Sequence, residues 1–220
     1  MKVKMNIEKS RILKVSLKSM LLAALVFKPY MSFAHQPVLN DFESTRANPY
    51  VIEEPEVSKA IFSSLNGEAH YYQISSPVEF KFYAGITSPK IEDCEYYQRF
   101  AFSIFNEKME LIAEFNDDKF EWWPWYEEYG KKWYWIGPEF GEKFKSTTNF
   151  EAGTYYIKVY NESNSGNYVL AVGDDEKFTP MVILKLLFKL PKINKRFWDD
   201  VDCMTIISND EADIRQRLND

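Results

Sequence analysis

The chain has 220 residues, with 27 Lys+Arg against 33 Asp+Glu for a formal net charge of −6, and only two cysteines and two histidines. So few sulfur and imidazole ligands, at unrelated spacings, exclude a zinc site. An acidic surface without a basic stripe excludes nucleic acid and anionic lipid as electrostatic partners.

The basic residues crowd at the start, at Lys2, Lys4, Lys9, Arg11, Lys14 and Lys18, and an apolar run, 20–27, follows them. Ser32 and Ala34 then supply a small-x-small site. This pattern predicts a signal peptide over residues 1–34, cleaved after Ala34, and a periplasmic or secreted protein. The apolar run is far shorter than the roughly 20 residues a helix needs to span a bilayer. Loss of the leader leaves the rest still more acidic, a chain sized for one domain.

Residues 35–56 contain Pro37, Pro49 and Pro55 without a sustained period and predict an extended N-terminal arm. A β-domain is expected over 57–173. Ala60, Phe62 and Leu65 mark a first strand, ended by Asn66-Gly67. Residues 70–74 and 78–84 follow, the second with Val78, Phe80 and Phe82 alternating against Glu79, Lys81 and Tyr83. Polar residues 87–99 read as a loop. Residues 100–105 and 109–115 read as a hairpin turning at Asn106-Glu107-Lys108, and 144–150 as a short strand.

The strongest pattern is Ala152-Gly-Thr-Tyr-Tyr-Ile-Lys-Val-Tyr160 with Gly166-Asn-Tyr-Val-Leu-Ala-Val-Gly173. Tyr155, Ile157 and Val159 fall on one face and Tyr156, Lys158 and Tyr160 on the other. The two runs predict an antiparallel hairpin. Together the segments predict an all-β protein, an antiparallel β-sandwich with upstream strands packed on that hairpin.

Thr179 as N-cap and Pro180 at the first helical position predict a short C-terminal helix, ended by Pro191. Segment 174–198 is expected to pack on or near the domain. Membrane contact through 180–190 is the alternative, because only Lys185 and Lys189 are polar there. Residues 199–220 read as an acidic tail. Export permits a Cys94–Cys203 disulfide, but the position of Cys203 beyond the domain weighs against it.

The run 152–160 with Ser165-Gly-Asn-Tyr-Val-Leu-Ala-Val172 resembles the closing strands of bacterial pre-peptidase C-terminal domains. Ala69-His-Tyr-Tyr-Gln-Ile74 looks like an early strand of that family, and Phe102-Ser-Ile-Phe-Asn106 like its middle strand. The whole chain also looks like a set of small exported bacterial proteins that share its Asn48-Pro-Tyr-Val start and a helix after the last strand. The resemblance implies a jelly-roll-like sandwich over about 57–173, used as an accessory or binding module beside a secreted hydrolase. His70 stands where the family often has an acid, which counts against an inherited calcium site.

Five of the six tryptophans lie between residues 122 and 135. Trp122, Trp123, Trp125, Tyr126, Trp133 and Trp135 are the candidate ligand-binding residues, because flat rings stack on sugar faces and prolines. A glycan or protein partner in the cell envelope is expected. The competing reading makes these rings a cap on an open end of the sandwich. The acidic clusters Glu92-Asp93-Glu95, Asp117-Asp118 and Asp174-Asp175-Glu176 lack calcium-loop spacing and read as solvated loops, so no cofactor is expected. Cleavage after Ala34 would expose His35 as a terminal histidine, which with His70 forms the candidate copper pair. No G-x-S-x-G, H-E-x-x-H or phosphate-binding glycine loop occurs, and no enzyme activity is expected.

Overall fold

The computed structural model describes residues 35–116, 120–128, 130–140, 146–177, 179–209 and 211. The expected signal peptide, Asp117-Asp118 and residues 144–145 lie outside that set. Two strands run through the centre of the core. β12 (Gly153–Tyr160) buries Ile157 and Val159 completely, and β13 (Ser165–Val172) buries Tyr168, Leu170 and Val172 completely. They form as the alternation predicts, but they do not pair with each other. β12 is bonded to β4 (His70–Ser76) and β7 (Ala101–Asn106), whereas β13 is bonded to β3 (Lys59–Asn66) and β6 (Ala84–Pro89).

The expected hairpin is therefore an arch between two layers. Paired strands put their apolar rows side by side, but strands in opposite layers press those rows against one another across the core. Asn161 holds the corner. Its Oδ1 accepts from the Ser165 N–H at 3.0 Å and its Nδ2 donates to the Ser165 carbonyl at 2.9 Å. Asn164 (φ 47°) and Gly166 (φ 101°) take the left-handed dihedrals that the corner requires. A side chain at 166 would also collide with the Gln98 amide.

One sheet runs β1-β3-β13-β6-β10-β9 and the other β2-β4-β12-β7-β8, with β5 (Phe80–Phe82) and β11 (Thr148–Phe150) as a separate pair. The predicted arm is not a loose lead-in. β1 (Gln36–Leu39) lies parallel to β3, and β2 (Tyr50–Ile52) lies parallel to β4, so the arm lends an edge strand to each sheet. The other described strand pairs are antiparallel. The single strand expected over 78–84 is split at Tyr83: β5 pairs with β11, and β6 continues through 87–89, expected as loop. Ala84, Ile86 and Ser88 point inward along that continuation. The β7–β8 hairpin forms as expected, with β8 at Leu111–Phe115 and Met109 at φ 63° in the turn.

Beyond the sandwich, α1 (Pro180–Asn194) begins where Thr179 Oγ1 accepts from the Val182 N–H at 3.3 Å. The helix does not stop at Pro191. It passes through that proline to Asn194 and continues as a π-turn, Lys195–Asp199. The reason lies downstream: Ile193 and Phe197 are buried against Phe62 and Val169 on the outer face of the six-stranded sheet, with Trp198 packed beside them. Burying these side chains, each worth roughly 1.5–3 kcal/mol, carries the helix past the break. Among the described residues no helix is long and apolar enough to cross a membrane.

Cys94 and Cys203 form a disulfide, against the expectation set by the tail. Residues 203–209 are helical and Ile206 is buried, so this part of the expected acidic tail belongs to the domain.

Candidate functional site

The aromatic block folds as an edge hairpin. β9 (Trp123–Glu127) and β10 (Lys132–Glu139) pair antiparallel, placing Tyr126 opposite Trp133, Trp125 opposite Tyr134 and Pro124 opposite Trp135. The Gly130 N–H donates to Glu127 Oε2 at 2.5 Å in the turn, and Lys131 (φ 52°) completes it. β10 is bonded on its other side to β6, which joins the hairpin to the six-stranded sheet.

Period-2 alternation places Trp133, Trp135 and Tyr126 on the side facing the other sheet, and Trp123, Trp125 and Tyr134 on the outer side. Depth then separates them. Trp135 is buried and stacks on Tyr97 at 4.5 Å between centroids, and Tyr97 in turn lies 5.9 Å from buried Trp122. Trp122 lies so close over Gly137 that a Cβ there would collide with the indole. Lys90 Nζ sits 4.6 Å from the Trp135 ring centroid. These two tryptophans are core residues.

Trp133 differs. It is 47% exposed and pairs with half-buried Tyr126 at 5.1 Å. On the outer side Trp125 lies 6.2 Å from Tyr134, and Tyr134 meets Trp198 edge-on at 5.2 Å. Trp123 is 37% exposed at the start of the edge strand. The six candidates are thus split among the core, the outer face and an exposed pair at the hairpin end. Burial, and secondarily the charge of Glu127, holds the Tyr134 hydroxyl well above the usual phenol range, so it stays protonated.

Two contributors were missed in the sequence. Trp198 lies far from the other indoles in the chain, yet its Nε1 donates to the Trp133 carbonyl at 3.3 Å and Lys132 Nζ lies 5.2 Å from its ring. Tyr97 sat in a segment read as polar loop. No local signal marks either, because both reach the hairpin through tertiary packing.

The two histidines are held on separate partners. His35 Nδ1 lies 2.6 Å from Ser58 Oγ, and its ring stacks on Tyr83. His70 is buried, with Nδ1 2.8 Å from the Tyr168 hydroxyl and 3.2 Å from Ser63 Oγ. Ser58 and Ser63 are separated by roughly 16 Å of extended chain, so the structure does not bring these rings together. Among the described residues no three His, Cys, Asp or Glu side chains form a group that could hold a metal ion, and this covers the described acidic clusters too.

His70 belongs instead to a polar network in the core, in which the Tyr168 and Tyr72 hydroxyls lie 2.6 Å apart. Burial lowers the His70 pKa, and the charge of Glu43 only partly opposes this. The unfolded chain takes up a proton near pH 6.5 while the folded one resists it, so the unfolded state binds more protons below that value. The contribution to stability is full above about pH 6.5 and is lost as pH falls toward the lowered folded value. Chemical denaturation at pH 7.5 and pH 5.5 should show a drop that is smaller in His70→Gln; an equal drop in both proteins assigns it elsewhere.

Fold and hairpin together define an all-β sandwich with a C-terminal helix and an aromatic edge. No family model matches the chain, and no curated protein matches it. Among solved structures it is similar to the pre-peptidase C-terminal domain of collagenase from Bacillus anthracis, with 15% identity and a TM-score of 0.34, over 61% of this chain and 98% of that one.

Proposed function

We propose that this chain is an exported, non-catalytic module that binds a glycan in the cell envelope through the β9–β10 hairpin, with Trp133 and Tyr126 as the stacking pair. The observation that carries the reading is the 47% exposure of Trp133 beside a second ring on an edge hairpin. An indole contributes 150–250 Å² of contact area, and leaving one in water without use is unfavourable. The flat apolar face of a sugar ring fits such a pair. Export is supported by the leader composition and by the Cys94–Cys203 bridge, which suits an oxidising compartment.

Tryptophan fluorescence titration with envelope glycans and proline-containing peptides tests this reading. A saturable response to a glycan is expected, and it should vanish in Trp133→Ala while the unfolding midpoint barely moves. A flat response of the wild type to every glycan rejects the proposal, as does an undiminished response in Trp133→Ala. Binding of peptides alone moves the assignment to a protein partner.

A further inference from the structure

We propose a second, separate surface: the outer face of the five-stranded sheet is where two copies of this chain associate, as a weak two-fold dimer. Phe102, Ile104, Ile157 and Val159 fill the core, so Ser103 and Phe105 on β7 and Tyr156, Lys158 and Tyr160 on β12 point away from it. On β8, Leu111 lies opposite Phe105 and Glu114 opposite Ser103, which puts both on the same outer face. The corresponding face of the six-stranded sheet is covered by Ile193 and Phe197. On the five-stranded sheet the apolar row meets water: Leu111 is 57% exposed, and Phe105 and Tyr156 are half-buried.

The occupant follows from the order of side chains across three strands. β7 lies between β12 and β8. Register places Tyr156, Phe105 and Leu111 in one row and Lys158, Ser103 and Glu114 in another. A two-fold axis laid along β7 over this face sends β12 of one copy onto β8 of the other. Phe105 then meets its own copy, Tyr156 meets Leu111, and Lys158 meets Glu114. An isologous interface requires such self-complementarity, and both rows satisfy it. Sheets stacked with their strands nearly aligned are an ordinary packing.

The charges are oriented before contact. The Tyr160 hydroxyl donates to Glu114 Oε1 at 2.8 Å, and Lys158 Nζ lies 4.5 Å from the Tyr160 ring centroid. Ser103 Oγ donates to Glu114 Oε1 at 3.5 Å from the middle of the row. Among the described residues neither Lys158 nor Glu114 has an ion-pair partner. Each finds one across the two-fold, and opposed charges of this kind fix the register of an interface. Three strands make a strip about 14 Å wide. That falls short of the roughly 800 Å² per partner of a stable interface, so association belongs in the micromolar range or weaker.

Sedimentation equilibrium of the oxidised full chain tests this. The mass is expected to rise from monomer toward dimer with concentration, and added salt should weaken the association. Lys158→Glu and Glu114→Lys, each alone, set like charges face to face and should weaken it at least about tenfold. Combined in one chain they restore opposite charges and should return the dissociation constant to within about threefold of wild type, which a folding defect would not allow. Trp133→Ala should leave the dimer unchanged, because the β9–β10 hairpin belongs to the other sheet. The dimer and the glycan reading can therefore fail separately. The proposal is overturned if the wild type stays monomeric to submillimolar concentration, or if either single reversal associates as tightly as wild type. A double variant no tighter than the single ones overturns it too, as does loss of the dimer in Trp133→Ala.

Discussion

Replacing Cys94 and Cys203 together by serine is expected to lower the unfolding free energy by about 4–5 kcal/mol. The bridge joins residues 109 apart, so it removes a large share of the freedom of the unfolded chain. It also ties the segment that buries Ile206 to the end of the sandwich. Urea unfolding of the oxidised wild type, the reduced wild type and the double variant measures the effect. The two thiol-free or reduced forms should agree with each other and unfold at much lower denaturant. A difference below about 1 kcal/mol from the oxidised protein would show that the cross-link does not constrain the unfolded chain.

The tryptophans should divide sharply when each is cut to alanine. Trp135→Ala and Trp122→Ala are each expected to cost about 3–5 kcal/mol, the range for emptying a buried aromatic site. Both lie in the central cluster with Ile86, Phe102 and Leu170, and Tyr97 stacks between them. Trp133→Ala should cost under about 0.5 kcal/mol, as surface substitutions do. Parallel denaturation curves decide it. Equal losses at positions 133 and 135 would mean that the hairpin end is core, and would remove the stacking surface with it.

Alternation made the inward residues of β7, β12 and β13 legible, because a half-buried strand writes its two faces into its own sequence. On β3 the marker residues Ala60 and Phe62 face outward, against Val169, Ile193 and Phe197, and Ile61 and Leu65 face the core. The layer to which each strand belongs is not written in the alternation. Tyr155, Ile157 and Val159 must face apolar partners, but a neighbouring strand and an opposing sheet satisfy that need equally well locally. The same limit hid the break at Tyr83, where one continuous pattern serves two pairings, and the strands of the arm, whose short runs take their order from β3 and β4. Thr179 was readable because a cap is a local bond. The passage through Pro191 was not, since Phe62 and Phe197 meet only in the folded protein. In the hairpin, Trp133 and Trp135 share a face, so spacing could not separate them. What separates them is distance from the sheet interior along β10.

Because the arch sends β12 and β13 into different layers, the chain has no strong local nucleus where its pattern is most pronounced. The central partners of these strands, β3 and β4, come from the opposite end of the domain. Long loops must close before those ladders reward the chain, which sets refolding in the millisecond-to-second range typical of non-local β topologies. A polypeptide leaving the ribosome thus holds one edge each of β3, β4, β6 and β7 open until its last strands arrive.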